Sequence, residues 1–385
     1  MDNFTFHNPV RLIFGQGQIA QLSKEIPTGA RVLFAFGGGS IKTNGVYDQV
    51  VAALQGAGLH WAEFAGIEPN PRYETLMQAV ELARREKLDF ILAVGGGSVA
   101  DGCKFIAAAI PFVGDPWDIL AKRARITQAV PMGIVLTLPA TGSEMNCFAV
   151  VSRDETHEKL SFGHPAVWPK FSVLDPHSTY SLPPRQLGNG IVDAYVHVLE
   201  QYLTFPAAAP LTDRLAEAVL STLVEIAPRA MANPPDYQAR ANLMWCAAMA
   251  LNGLVGSGVP QDWATHYIGH ELTALSGIDH ARTLAAIWPG VMALKFEAKK
   301  AKLAQYAERV WNIRDGSEDE RALAAIAKTR AFFESVGVPT GLSSYDLPAD
   351  IAAQIAGRLA ARHQAPLGEH GDIDSAMVKR IVEAA

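Results

Sequence analysis

Five residues in the second half of the chain have the types and spacing to hold a metal ion. Asp193 and His197 stand four residues apart, which puts them one turn apart on one face of a helix. His266 and His270 repeat the interval, and His280 follows the turn Ser276-Gly277-Ile278-Asp279. One carboxylate with two or three imidazoles suits Zn²⁺ or Fe²⁺. A set of one Asp and three His leaves coordination room for a substrate oxygen. A single histidine on an apolar helix face is usually a satisfied core side chain. Burying it is costly unless it is paired or coordinating. Two such pairs with a further histidine nearby favour coordination, although spacing alone does not fix which imidazoles bind.

A second set of motifs suits a phosphate-bearing ligand. Gly37-Gly38-Gly39-Ser40 and Gly95-Gly96-Gly97-Ser98 each follow an apolar run. Glycines at the end of a strand let the backbone approach a ligand and take positive φ. The second set runs into Val99–Phe105, a helix opening, where N–H groups and the helix dipole favour a phosphate. Neither run fits the GxGxxG fingerprint well. The segment Thr137–Glu144 adds the hydroxyls of Thr137, Thr141 and Ser143, which can hydrogen-bond a ribose, an amide or a phosphate. By itself that segment says little, because such residues are common in turns.

These residues need two kinds of scaffold. Arg31–Phe36, Asp89–Val94, Gly133–Leu138 and Phe171–Leu174 read as buried strands. They alternate with helical patterns at 46–55 and 73–87, which implies a parallel α/β sheet. Beyond Ser181-Leu182-Pro183-Pro184 no strand pattern remains, and helical patterns at 211–226, 239–252 and 303–311 fill the rest. A double proline suits a helix start and a domain boundary. The division expected is residues 1–182 α/β and 183–385 all-helical. The charged runs around Lys299 and Glu318 read as solvated helix faces. A net charge of −6 argues against a nucleic-acid or anionic-membrane partner. The N-terminus lacks the pattern of a signal peptide, and no apolar run is long enough to span a bilayer. Cys103, Cys147 and Cys246 form no CxxC pair, which fits reduced thiols in a cytoplasmic protein.

Taken together, these residues resemble the iron-containing, or group III, alcohol dehydrogenases. The resemblance runs along essentially the whole chain. It is carried by Arg11-Leu-Ile-Phe-Gly-Gln-Gly17, the first GGGS, Gly95–Lys104, Pro139–Glu144, Pro260–His266 and the His266, His270, His280 cluster. Within the family the chain is most similar to the bacterial NADPH-dependent broad-range aldehyde reductases. The resemblance implies a Rossmann-like dinucleotide-binding domain followed by a helical domain, in the fold shared with dehydroquinate synthases. Cofactor and metal would lie in the cleft between the domains. It implies Asp193, His197, His266 and His280 as metal ligands, with His270 a non-ligand close to nicotinamide and substrate. Asp101, Thr137, Thr141 and Lys159 would join the glycine loops as NADP(H) contacts. Asn146, Phe148 and Trp263 would meet the substrate. The chain departs from the family at Ala281, where many members have Gly, and within His266–His270. It also has Phe148 where close relatives tend to have a small residue.

The implied reaction is reduction of an aldehyde, or oxidation of an alcohol, by hydride transfer with nicotinamide. The metal acts as a Lewis acid on the carbonyl oxygen, and His270 relays the proton. A homodimer is expected. A polyol dehydrogenase of the glycerol type is the nearest alternative. A dehydroquinate synthase-like lyase would need basic residues for a phosphate-like group, where this chain offers Trp263, Phe148 and Tyr195. A non-catalytic metal or nucleotide sensor would need one half-site degraded, and both look intact. NADPH is expected over NADH, because Gly37–Asn44 carries no acid to bind a free 2′-hydroxyl and has Lys42 beside it.

Overall fold

The computed structural model describes Met1–Ala385. The chain divides into two compact units, His7–Leu182 and Pro183–Ala385; residues Met1–Phe6 group with the second.

In the first unit, strands Arg11–Phe14 (β1), Arg31–Phe36 (β2), His60–Phe64 (β3), Phe90–Gly96 (β4), Met132–Leu138 (β5) and Phe171–Leu174 (β8) form one sheet. The order is β1-β8-β5-β4-β2-β3, and every pairing is parallel. Phe148–Arg153 (β6) and Glu158–Gly163 (β7) make a separate antiparallel hairpin. Helices Leu22–Glu25 (α1), Val46–Gly56 (α2), Tyr73–Glu86 (α3), Gly97–Ala109 (α4) and Asp118–Ala121 (α5) complete the unit.

Both faces of the sheet are covered, which explains the near-continuous apolar strands. Leu33, Ala35, Ile91, Ala93 and Ile134 belong to one core, packed with residues of α3, α4 and the hairpin. Val32, Phe34, Leu92, Val94 and Val135 belong to the other, with residues of α1 and α2. Consecutive residues therefore enter opposite cores, as strand alternation requires. The four strands legible in the sequence are all present. Strands β1 and β3 are at the sheet edges and partly exposed, so neither has a continuous apolar run. The hairpin strands carry charged residues at Arg153, Glu158 and Lys159 and escape the same criterion.

In the second unit the helices are Pro184–Tyr202 (α6), Pro210–Ala230 (α7), Tyr237–Ala250 (α8), Ala264–Ser276 (α9), His280–Leu294 (α10), Phe296–Arg309 (α11), Glu318–Ser335 (α12), Ile351–Ala361 (α13) and Ser375–Glu383 (α14). Pro184 opens α6 at the position where a missing N–H costs nothing. Gly277, with φ 72°, ends α9, and α10 begins three residues later. No helix is long and apolar enough to cross a membrane. Two readings are corrected here. Lys299 is fully buried rather than solvated: its ammonium meets Asp262 at 2.7 Å and Glu369 at 2.8 Å. Tyr195 is also fully buried, its hydroxyl 2.5 Å from that of Tyr306, and it lines no cleft.

Candidate active site

Three helices of the second unit supply the histidine and aspartate cluster. Ligand atoms of Asp193 on α6, His266 on α9 and His280 on α10 all lie within 4.8 Å of one another. Asp193 Oδ1 is 3.7 Å from His280 Nε2 and 3.7 Å from His197 Nδ1. His197 is outside that three-residue cluster, with its ring centroid 4.6 Å from that of His266. Its Nδ1 is buried and makes no hydrogen bond. Burial is the main cause that pushes the His197 pKa down to about 4, opposed by Asp193 and assisted by His266. The imidazole is therefore neutral at pH 7, the form a metal needs. One carboxylate with neutral imidazoles is a donor set that fits Zn²⁺ or Fe²⁺.

The helix starts are tied down where the cluster needs them. Asp279, the residue before His280, accepts from Arg185 Nε at 2.8 Å and Asn189 Nδ2 at 2.9 Å, both on α6. Glu200, one turn beyond His197, accepts the His266 backbone N–H at 2.9 Å and stands 3.0 Å from His266 Nδ1. Asp262 accepts the N–H of Ala264, the first residue of α9, at 2.9 Å. Glu200 and Asp262 were not singled out in the sequence. The three-residue interval from His197 to Glu200 was the available signal. His270 has its ring 4.9 Å from His280 and 6.2 Å from His266. Trp263 takes φ 65°, a conformation that is strained for a bulky side chain. Its ring packs edge-on against His266 and His197, and its Nε1–H donates to Gln261.

The glycine motifs differ from each other in the structure. Gly37–Gly39 form a true turn after β2, with φ 96° at Gly39, and Ser40 opens one 3₁₀ turn. The second run is not a free loop. Gly95 and Gly96 finish β4, and Gly97-Ser98 begin α4 directly. A Cβ on Gly95 would come within 2.6 Å of the Val99 side chain. One on Gly97 would strike Thr141 Oγ1. Close packing thus demands glycine at both positions.

Around this junction the polar residues are already linked. Lys104, fully buried, donates to Ser143 Oγ at 2.7 Å, Asn146 Oδ1 at 3.0 Å and the Phe148 carbonyl at 2.7 Å. Burial nevertheless lowers its pKa to about 8. Asp101 accepts from Ser143 Oγ and from Val150 N–H. Ser98 Oγ accepts from Asn70 N–H, Lys159 donates to Asn70 Oδ1, and Thr141 Oγ1 accepts from Ser143 N–H. Thr137 ends β5 and is buried. Asn146 is buried, with its amide bonded to Lys104, Phe148 N–H and the Gly142 carbonyl, so it braces the 142–148 turn. Phe148 is 55% exposed. Lys104 ends the Gly95–Lys104 motif, and its residue type gives no sign that it centres this network. Near the first turn, Lys42 lies over the Phe36 and Tyr47 rings and 3.7 Å from Glu63. The acid missing from Gly37–Asn44 is thus supplied from β3, paired with Lys42 and accepting from Tyr47 OH.

Comparison with known proteins agrees with these features. The model of the iron-containing alcohol dehydrogenases matches residues 9–176, and that of the C-terminal part of the Fe-containing alcohol dehydrogenase family matches 189–385. The chain is 55% identical over 388 residues to the NADPH-dependent aldehyde reductase YqhD of Escherichia coli (strain K12), covering 100% of both proteins. It is 43% identical over 350 residues to the probable NADH-dependent butanol dehydrogenase 1 of Bacillus subtilis (strain 168), covering 90% of each. The crystal structure of YqhD superposes with TM-score 0.97 at 55% identity, covering 100% of this chain and 98% of the other. That of the NADH-dependent butanol dehydrogenase A of Thermotoga maritima does so with TM-score 0.96 at 36% identity, covering 100% and 99%.

Proposed function

Because the chain belongs to the iron-containing alcohol dehydrogenase family, we propose that it is a metal-dependent NADP(H) aldehyde reductase acting on short- to medium-chain aldehydes and the matching alcohols. The observation that carries this reading is the cluster of Asp193, His266 and His280, the first two of them buried. In this reading those residues and His197 hold one divalent ion, Fe²⁺ or Zn²⁺, and the helical unit is the catalytic one. The α/β unit binds the dinucleotide through Gly37–Ser40, Gly95–Ser98, Asp101, Thr137, Thr141 and Lys159. When bound, the metal supplies Lewis acidity at the carbonyl oxygen and the dihydronicotinamide supplies the hydride.

The chain's own residues have separate tasks. His197, neutral at pH 7, offers a lone pair without first losing a proton. His270, beside the cluster but outside it, is placed to move a proton to or from the substrate oxygen. Trp263 on the helical unit and Phe148 on the α/β unit are each proposed as substrate contacts. Asn146 acts by holding the turn that carries Phe148. NADPH is the preferred cofactor: the full-length relative at 55% identity is named for it, and Glu63, on the strand paired with β2, is itself paired with Lys42. Three unpaired thiols fit a reducing, cytoplasmic setting. A homodimer is the assembly proposed.

The test is direct. Purified protein loaded separately with Fe²⁺ and Zn²⁺ is given butanal with NADPH or NADH, and glycerol with the oxidised cofactors. Rapid metal-dependent oxidation of NADPH by butanal is expected, and light scattering should give twice the chain mass. Turnover of glycerol alone, or turnover unaffected by chelation, would overturn the reading.

A further inference from the structure

We propose that Glu200 is a positioning residue for the metal site, fixing His266 in the tautomer whose lone pair is on Nε2. The proposal rests on the metal reading above.

The geometry decides the tautomer. Glu200 Oε1 accepts the His266 backbone N–H at 2.9 Å. A backbone N–H can act as donor alone, so Oε1 is an acceptor. The same oxygen lies 3.0 Å from His266 Nδ1. As a carboxylate, Oε1 can only accept, so that ring nitrogen carries the proton it shares with Oε1. A neutral imidazole has one N–H and one lone pair, so the lone pair falls on Nε2. Nε2 is left as the nitrogen His266 offers to the cluster with Asp193 and His280.

A buried ion cluster holds Glu200 in place. The Glu200 carbonyl accepts the Asp262 N–H at 2.9 Å. Asp262, four residues before His266, in turn accepts the N–H of Ala264 at the start of α9 and pairs with Lys299. The three donors of Lys299 find Asp262, Glu369 and the Leu203 carbonyl just past α6. One buried ammonium therefore joins the end of α6, the start of α9 and α11. Apolar residues of similar volume would stabilise such a junction at least as well. A directional network is needed if the distance from Glu200 to His266 matters. The strained Trp263 lies between Asp262 and Ala264, which is consistent with a segment held to a set geometry.

Zn²⁺ affinity is measured by competition with a chromophoric chelator for wild type and Glu200→Gln, with circular dichroism as the check on folding. The variant keeps the shape of the side chain and weakens the acceptor. Its dissociation constant should rise roughly 10-fold, the lower end of the effect of such outer partners. Wild-type holoprotein labelled with ¹⁵N-histidine should show a protonated Nδ1 and a metal-bound Nε2 for His266, assigned by loss of the signal in His266→Gln. A metal-bound Nδ1 at His266, or a Glu200→Gln constant within about twofold of wild type, overturns the proposal even if the variant is hard to handle. A wild type that binds no Zn²⁺ overturns the metal reading itself, and this inference with it.

Discussion

Asp193 Oδ1 is equidistant, at 3.7 Å, from His197 Nδ1 on its own helix and His280 Nε2 on α10. One carboxylate oxygen thus faces imidazoles from two helices, with His266 completing the cluster from a third. Asp193 is the one anionic donor in the set. Asp193→Asn keeps its volume and removes its charge. It should lose most of the bound metal and nearly all activity while remaining folded. Elemental analysis after gel filtration is the check, and full metal occupancy in the variant would show that the cluster is not the metal site.

His270 tests the proposed division of roles among the histidines. Its ring sits 4.9 Å from that of His280, yet it is not in the three-residue cluster. His270→Ala should keep its metal and lose roughly 100-fold in kcat, the lower end of what a general acid–base group contributes. The basic or acidic limb of the pH–rate profile should shift as well. Loss of metal as complete as in Asp193→Asn would make His270 a ligand instead.

Phe148 faces Gly163 across the hairpin, and a Cβ on Gly163 would come within 2.4 Å of the ring. The ring therefore lies over the glycine while more than half the residue remains exposed. Phe148→Ala removes the ring without placing a second glycine in a strand pair. Its kcat/KM should improve more for a branched aldehyde than for propanal, because volume is released. Equal changes for both substrates would put Phe148 outside the pocket.

Glu144 is buried, and neither of its carboxylate oxygens has a hydrogen-bond partner in another residue. Burial raises its pKa to about 7; its own N–H and Lys104 oppose the shift and Asp101 adds to it. A carboxyl raised in the folded state binds a proton there that the unfolded chain has released. Stability should therefore fall as pH rises from about 4.5 to about 7 and level off above. Glu144→Gln removes the ionisation. The advantage of the variant in urea unfolding should be near zero at pH 4.5 and grow to about 3 kcal/mol by pH 8, since one pKa unit is worth about 1.4 kcal/mol. A constant difference across that range would contradict the assignment.

Much of this was legible in the sequence because it follows from period and spacing. Arg31–Phe36 reads as a strand buried on both faces, and the i, i+4 pairs at Asp193/His197 and His266/His270 read as helix faces. What escaped was set by tertiary contact. Lys299 sits in a charged stretch like any solvated lysine. Its burial comes from Asp262 and Glu369, distant in sequence. Glu63 joins Lys42 because β2 and β3 pair in parallel. Nothing in the type of Asn146 shows that Lys104 engages it within the turn. The second glycine run reads as a strand running into a helix, and what escaped is the close packing of Val99 and Thr141 against it.

In the proposed reading, cofactor choice turns on the first glycine turn. Gly37 has the Ile67 carbonyl 3.1 Å from any added Cβ, and Gly39 has φ 96°, so neither tolerates a side chain without strain. Gly38 is exposed, has ordinary φ, and has nothing within 4 Å of an added Cβ. A carboxylate introduced there would repel a 2′-phosphate and could accept from free ribose hydroxyls. In the wild type, Glu63 is engaged by Lys42 and Tyr47, which leaves the turn without an unpaired acid. Under that proposal, the backbone N–H groups of the turn and the exposed Ser40 hydroxyl would meet the phosphate. One charge-assisted hydrogen bond supplies roughly 1.5 kcal/mol, about tenfold in selectivity. Wild type should therefore favour NADPH over NADH by at least ~10-fold in kcat/KM on one aldehyde. Gly38→Asp should shrink or reverse that ratio while kcat with NADH is retained. An unchanged ratio in the variant would show that this turn does not read the 2′ position, and a wild type preferring NADH would align it with the relatives named for that cofactor.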